Sequence, residues 1–427
     1  MHTIRSRFFL HVLAAASCSV SVRAQSTPHT TPIDARDRTL WASFVTPYLA
    51  GSPWHDTGRY NAAHLLMVPL HAAFSLRVSP WEKEFVDHFN RFIGSSPPDT
   101  FSADQELSWL QYDYLASQYL VLATARKVAV TPGLADFLGR TLQKTWSNRP
   151  AWQWDRRPFA GGMRERILWK LTTPVVAKSY YRAIIDQEQY VFAIAADLNR
   201  FDELTQSRHP WSPVISDILS IARQTYKQRV AWRSDGGWLF QPGIWADHRD
   251  FLYAGRQEKR QGLRPAPLTD VAEDASHSFR RPLWLQSLKH GAPNAADAAY
   301  YDSLLTGLDY QFFAHVLVPP SHGFPAYRTK NWMDGRNGIF RWMYMNRGTT
   351  WGYGPYELSG SFTLGWWVFL DSPRIRKAYA EEATKYPLPI EVLRVYEPNT
   401  APGNLISASN KRHELFRELI VRLASKL

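Results

Sequence analysis

The sequence predicts an all-α fold, and three observations carry that expectation. Apolar residues recur at helical spacing through most of the first 232 positions. The periodic segments follow one another closely, as helical hairpins do. Two long irregular stretches, rich in glycine, proline and aromatic residues, interrupt them only in the C-terminal half.

The elements follow in order. Helical spacing predicts helices over 38–49, 60–76 and 81–93. The next, 102–128, opens with Ser102 and has Gln105 three residues on, the pattern of a capping box. Helices are expected over 132–146, 162–171, 175–201 and 212–232. Residues 233–267 read as loops with short strands, and helices return over 275–290 and 295–317. A second irregular stretch, 319–355, leads into a helix over 356–370, and helical pieces near 372–386 and 408–426 complete the set. Loops of this length inside a domain are usually functional. With no linker or low-complexity tract between two halves, one domain over 25–427 is expected.

Residues 1–24 read as an export signal: a basic start, an apolar centre and Val22-Arg23-Ala24 as a small-residue cleavage site. Ala15, three before Cys18, departs from the larger aliphatic residue of a lipidation box, so cleavage is the preferred reading over lipidation. The expected location is the periplasm or the exterior. No later stretch is long and apolar enough for a membrane span, so no stable membrane insertion is expected. Cys18 is the single cysteine, and its loss with the signal excludes disulfides, a thiol nucleophile and a cysteine-based zinc site. The formal charge is +12, and losing Arg5, Arg7 and Arg23 leaves it three lower. Such a balance attracts anions. Without a Lys/Arg run, and with export, an acidic glycan fits better than nucleic acid. With 18 Trp, 20 Tyr and 22 Phe, the chain has rings for both a core and a sugar-stacking groove.

Three constellations stand out. The first is "VAEDASHSFRR" (271–281), where Glu273, Asp274, Ser276, His277, Ser278, Arg280 and Arg281 gather at a helix start. A cap needs one side chain, and arginines in a first turn oppose the helix dipole unless acids or an anionic ligand compensate them. The second is the loop 326–342, with Tyr327, Arg328, Lys330, Asn331, Asp334, Arg336 and Asn337 among Trp332 and Phe340. The third is 349–361, where Tyr353 or Tyr356 is a candidate proton donor and Glu357 a candidate carboxylate. A polar set amid core spacing, Gln111, Tyr112 and Asp113, suggests a helix lining a cleft. Asp247, His248 and Asp250 have metal-ligand residue types without metal-site spacing, so neither a metal nor another cofactor is expected.

Ser276-His277-Ser278-Phe279 and Ser359-Gly360-Ser361-Phe362 both follow a long loop and open an apolar helix, as two equivalent helices of a toroid would. With this layout, "EDASHSFRRPLWL" resembles the (α/α) toroid enzymes that act on polysaccharides, most of all the uronate lyases of the alginate lyase kind. The resemblance implies an Asn or Gln, a His, an Arg and a Tyr in one cleft. His277, Arg280 or Arg281, Tyr327 and Arg328 are the matching positions here, and an upstream Asn motif is not found. β-Elimination needs the substrate carboxylate neutralised, for which Arg280, Arg281, Arg328 or Asn331 would serve. It also needs a base, His277, and an acid, Tyr327 or Tyr353. Asn331, Arg336, Asn337, Trp332, Tyr353, Gln111 and Tyr112 are expected to bind substrate. Two alternatives stay open. A glycoside hydrolase would pair Asp274 with Glu357, or Glu273 with Asp334. A non-catalytic glycan-binding protein would show aromatic platforms with neither arrangement.

Overall fold

A computed structural model describes residues 32–51, 56–98, 102–153, 158–174, 176–342, 351–396 and 411–427. The export signal expected over 1–24 lies outside the described residues. The chain there is mostly helical. Its α-helices are α1 (Ala35–Ala50), α2 (Asp56–Ser75), α3 (Ser79–Gly94), α4 (Glu106–Ala125), α5 (Leu134–Gln143), α6 (Gly162–Thr172) and α7 (Asp186–Thr205). There follow α8 (Ser212–Arg229), α9 (Ala275–Ser278), α10 (Arg281–His290), α11 (Ala295–Gln311), α12 (Pro373–Ala383), α13 (Ile390–Tyr396) and α14 (Lys411–Ala424). Two small antiparallel ribbons join them, β1 (Val230–Trp232) with β2 (Trp238–Phe240) and β3 (Leu317–Val318) with β4 (Arg328–Thr329).

Burial sorts the helices into two layers. α4 is buried without a break from Trp109 to Leu120, and α7 from Glu188 to Leu198. A helix with no solvent face is an inner helix. α2 is the same over 61–70. α3, by contrast, buries Phe85, Phe89 and Phe92 on one face and keeps the other polar, as an outer helix should. α2 adjoins α4, α4 adjoins α7 and α7 adjoins α10, while α3, α5, α8 and α11 pack outside them. The turns at Ser359–Leu364 and Trp366–Leu370 lie against α14 and α10, and α14 lies against α2. Stacked tryptophans fix the outer contacts: Trp41 on Trp81 and Trp367 on Phe312, each with ring centres 3.8 Å apart. No helix among the described residues is long and apolar enough to cross a membrane.

Several boundaries differ from expectation, each for a physical reason. The helix expected from Ser102 starts at Glu106, with no side-chain cap at Gln105. The helix expected over 175–201 begins only at Asp186. Gln241 holds Ile184 extended by donating to its carbonyl (2.8 Å) and accepting from its N–H (2.9 Å). Glu188 then accepts from Ile185 N at 2.6 Å and starts the helix there. The helix expected over 275–290 is two, α9 and α10, broken at Phe279 and Arg280, with Pro282 in the first turn of α10. Residues 356–358 form a turn and 359–370 two 3₁₀ segments instead of an α-helix, the two separated by Gly365 at φ +80°. A Cβ there would press on Ile420 and Val68 at 2.7 and 2.9 Å. The short α13 was not foreseen.

Candidate functional site

The irregular stretches build the site by threading past one another. Met333 N donates to Glu273 O, Ala275 N donates to Asn331 O, and Asp274 pairs with Trp332 across an isolated bridge. The second loop then passes between two others: Ile339 N donates to Arg256 O, Arg341 N to Asp250 O, and Phe340 exchanges both backbone bonds with Tyr353. Gly338 lies so close to Ala254 that a Cβ would sit 1.7 Å from its carbonyl oxygen. The rings of Phe251, Trp332 and Phe340 pack together beneath this crossing, and Trp245 stacks on Phe251 at 5.4 Å.

Above that aromatic floor lies a cavity of about 360 Å³, bordered by Asp186, Trp245, His248, Glu273, His277 and Arg341 among others. A second, of about 180 Å³, is bordered by Tyr60, His64, Tyr353 and Glu357. His277 and Arg341 line both, so they stand at the junction of the two.

His277 is held by Asp274. Its Nδ1 is 2.9 Å from each Asp274 oxygen, and its backbone N–H donates to Asp274 Oδ1 at 3.1 Å, so the N-cap of α9 also orients the imidazole. Ser276 Oγ donates to the same carboxylate at 2.5 Å. Burial alone would raise the Asp274 carboxyl, but His277, Ser276 and Arg341 outweigh it and hold it below its ordinary value. A carboxylate only accepts, so Nδ1 is the nitrogen that carries a proton, and in the neutral ring the lone pair lies on Nε2. The side chain of His277 is about one-third exposed to the cleft, whereas Asp274 is buried beneath it.

Behind this pair lies a second buried chain. Arg280 donates to Asp186 Oδ2 at 2.6 Å and to His64 Nε2 at 2.8 and 3.1 Å. Arginine has no acceptor, so His64 accepts at Nε2 and donates from Nδ1 to Tyr60 O at 2.8 Å. His64 is therefore neutral, in line with the fall of its pKa well below the usual imidazole value through burial and the Arg280 charge. Arg281 pairs with Glu273, whose other oxygen accepts from Gln241 at 2.8 Å. The two arginines set against the helix dipole are thus compensated by partly buried acids on other elements.

The structure brings together His277, Asp274, Arg280, Arg281, Tyr353 and Glu357 at the two cavities. It places the other expected site residues elsewhere. Tyr327 is buried, and its hydroxyl donates to Glu381 at 2.5 Å. Arg328 lies over the rings of Phe324 and Tyr356. Asn331 is fully buried and holds the loop, donating to Gly338 O and Gly354 O. Trp332 is core, Arg336 is paired with Asp334 and Asp270, and Asn337 Oδ1 accepts from Asn331 N and Tyr356 N. Gln111 and Tyr112 are buried inside α4, the Tyr112 hydroxyl bonded to His88 at 2.9 Å; Leu107 of that helix reaches the cavity instead. Glu357 is committed to Lys259 at 2.5 Å and Gly354 N at 2.7 Å. Asp247 accepts from Ser179, and no three His, Asp or Glu side chains among the described residues converge as a metal site.

Tyr60, His64, Asp186, Trp245 and Arg341 were not assigned to a site from sequence, and Asp250 and Phe340 were named there only as a metal-type residue and a loop ring. Comparison with protein-family models, curated proteins and solved structures yields no match.

Proposed function

We propose that the protein is an exported polysaccharide lyase, cleaving uronate-containing chains by β-elimination within an (α/α) toroid. The observation that carries this reading is the Asp274–His277 pair, in which the carboxylate holds Nδ1 and leaves the imidazole part-exposed at a cleft lined by arginine and aromatic rings. The succession α2, α4, α7, α10, with α14 and the 359–370 turns between its ends, supports the toroid.

In this reading His277 Nε2 takes the C5 proton of a uronate. The C–H electrons form the C4=C5 double bond, the C4–O4 bond breaks, and O4 leaves with its pair and takes up a proton. A positioned base of this kind contributes about 10²–10⁴ in rate. Arg341, at the junction of the cavities, suits the carboxylate, whose charge grows as the proton leaves. Tyr60 and Tyr353 border the smaller cavity and are the nearest phenol donors for O4.

A hydrolase needs two carboxylates available to the bond. Asp274, Glu357, Asp186 and Asp250 are each engaged by a base or a cation. Glu273 is paired with Arg281 as well, yet it keeps this second reading in view, because burial raises its carboxyl despite Arg281 and Gln241, as an acid catalyst requires. The test is incubation with uronate polymers, read by the ultraviolet absorbance of unsaturated ends beside a reducing-end assay. Absorbance that vanishes in His277→Ala is the expected result. Reducing ends without absorbance reject elimination in favour of hydrolysis, and neither signal rejects both.

A further inference from the structure

His248 shares the larger cavity with His277, and the aromatic floor runs between them. Its ring is 5.5 Å from Trp245 and 6.0 Å from Phe251, Phe251 is 5.5 Å from Phe340, and Phe340 is 6.2 Å from His277. The two imidazoles are held in opposite ways. His277 Nδ1 faces a carboxylate, whereas His248 Nδ1 accepts from the backbone N–H of Asp250 at 3.3 Å. A nitrogen that accepts carries no proton, so the proton of His248 is on Nε2. Burial, aided by Arg249 and Arg341 and opposed by Asp250 and Asp247, lowers its pKa and keeps the ring neutral.

Asp250 is the hub of the arrangement. While its N–H fixes His248, its carboxylate accepts from Arg341 Nε at 3.0 Å and lies 3.7 Å from Arg249 Nε. Its backbone carbonyl accepts from Arg341 N. One buried acid therefore organises an imidazole donor and two guanidinium groups, all bordering one cavity, with a net positive charge between them. The Arg249 side chain, which also borders the cavity, is 59% exposed.

We propose that His248, Arg249 and Arg341, assembled on Asp250, form the recognition site for the substrate's carboxylate. His248 donates from Nε2 and transfers no proton, the role a neutral imidazole can fill beside a developing negative charge. Arg341 offers a fork matched to a carboxylate, and Arg249 admits the anion from solvent. The inference rests on the reading that this cavity takes a uronate, and it makes the acid group, not the sugar ring, the feature selected.

Binding separates the two ideas. In the His277→Ala background, titration calorimetry with glucuronate, galacturonate and mannuronate is set against the matching neutral hexoses. The expected result is a preference of tenfold or more for at least one acid over its hexose. His248→Ala and Arg341→Met should each reduce that preference about ten- to hundredfold. His248→Gln should largely restore it, because an amide N–H stands near the position of Nε2–H. Circular dichroism of each variant guards against unfolding. Equal affinity for every acid and its hexose, no binding of any sugar, or a preference untouched by His248→Ala overturns the proposal. A preserved acid preference with no elimination in the parent protein would instead remove the lyase reading and leave the recognition site standing.

Discussion

Asp274→Asn isolates the chemistry of the site from its architecture. The carboxylate does two jobs: it caps α9 through the His277 N–H and it holds the His277 imidazole at 2.9 Å. Asparagine caps a helix about as well as aspartate, so the change should cost at most about 1 kcal/mol of stability. The second job suffers far more. When His277 Nε2 accepts a proton, the ring becomes a cation against a buried carboxylate. At 2.9 Å and an effective dielectric of about 20, that attraction amounts to about 6 kcal/mol. Incomplete charge transfer at the transition state brings the loss to about 4 kcal/mol, or about 10³ in rate. Comparable carboxylate-to-amide changes beside a catalytic histidine cost about 10⁴. The assay is kcat/KM on the cleaved polymer, with urea midpoints measured on the same preparations. If Asp274→Asn keeps more than a tenth of the activity while its midpoint is unchanged, His277 is not a base that depends on Asp274.

Three further outcomes follow from particular contacts. Glu357→Gln should retain activity within about tenfold if elimination operates, since Glu357 is engaged by Lys259 and Gly354, whereas a hydrolase using it would lose about 10² or more. Asp197, buried in the middle of α7 and accepting from Ser117 and Gln118, has its carboxyl pushed up to about 7 by burial. Between an unfolded value of about 4 and that value, the native state binds a proton the unfolded chain has lost. Stability therefore falls as pH rises through this range, by up to about 4 kcal/mol, and Asp197→Asn should flatten the slope in urea melts. An identical slope in the variant counts against a protonated native Asp197. Gly291→Ala would place a Cβ 1.9 Å from Ala196 O, where the end of α10 meets α7, and should lower stability by about 1–3 kcal/mol in thermal melts. A Tm equal to the parent's would show that this approach relaxes freely.

The outer helices were legible because their two faces differ. α3 announces itself through Phe85, Phe89 and Phe92 at helical spacing against a charged face. The inner helices were found by length and apolar density, but their polar positions misled. Gln111 and Tyr112 read as cleft-lining residues, yet α4 is buried all round, so a polar residue there marks an internal hydrogen bond or an interior pocket. Breaks were missed wherever a distant residue causes them. Nothing local to Ile184 ends a helix; Gln241, 57 positions on, does.

The site divides the same way. The segment 271–281 was recognisable because one short stretch carries more charge than a helix cap can use, and that surplus has a local signature. The partners that satisfy the surplus have none. Asp186 is one of two acids in an ordinary first turn of α7, His64 looks like one more core histidine, and Arg341 is one cation in a loop full of them. Each gains its meaning from a contact across 91 to 216 residues of chain: Arg280 with Asp186 and His64, Arg341 with Asp250. Tyr327, Arg328 and Asn331 erred in the opposite direction, for a connected reason. A loop that threads between two others must satisfy its own buried backbone. Asn331 donates to two carbonyls and Asn337 accepts from two N–H groups for that purpose, so the polar richness of 326–342 is spent mainly on holding the loop. What that loop contributes to the cleft is Phe340 and Arg341, carried into place by the polar run that precedes them.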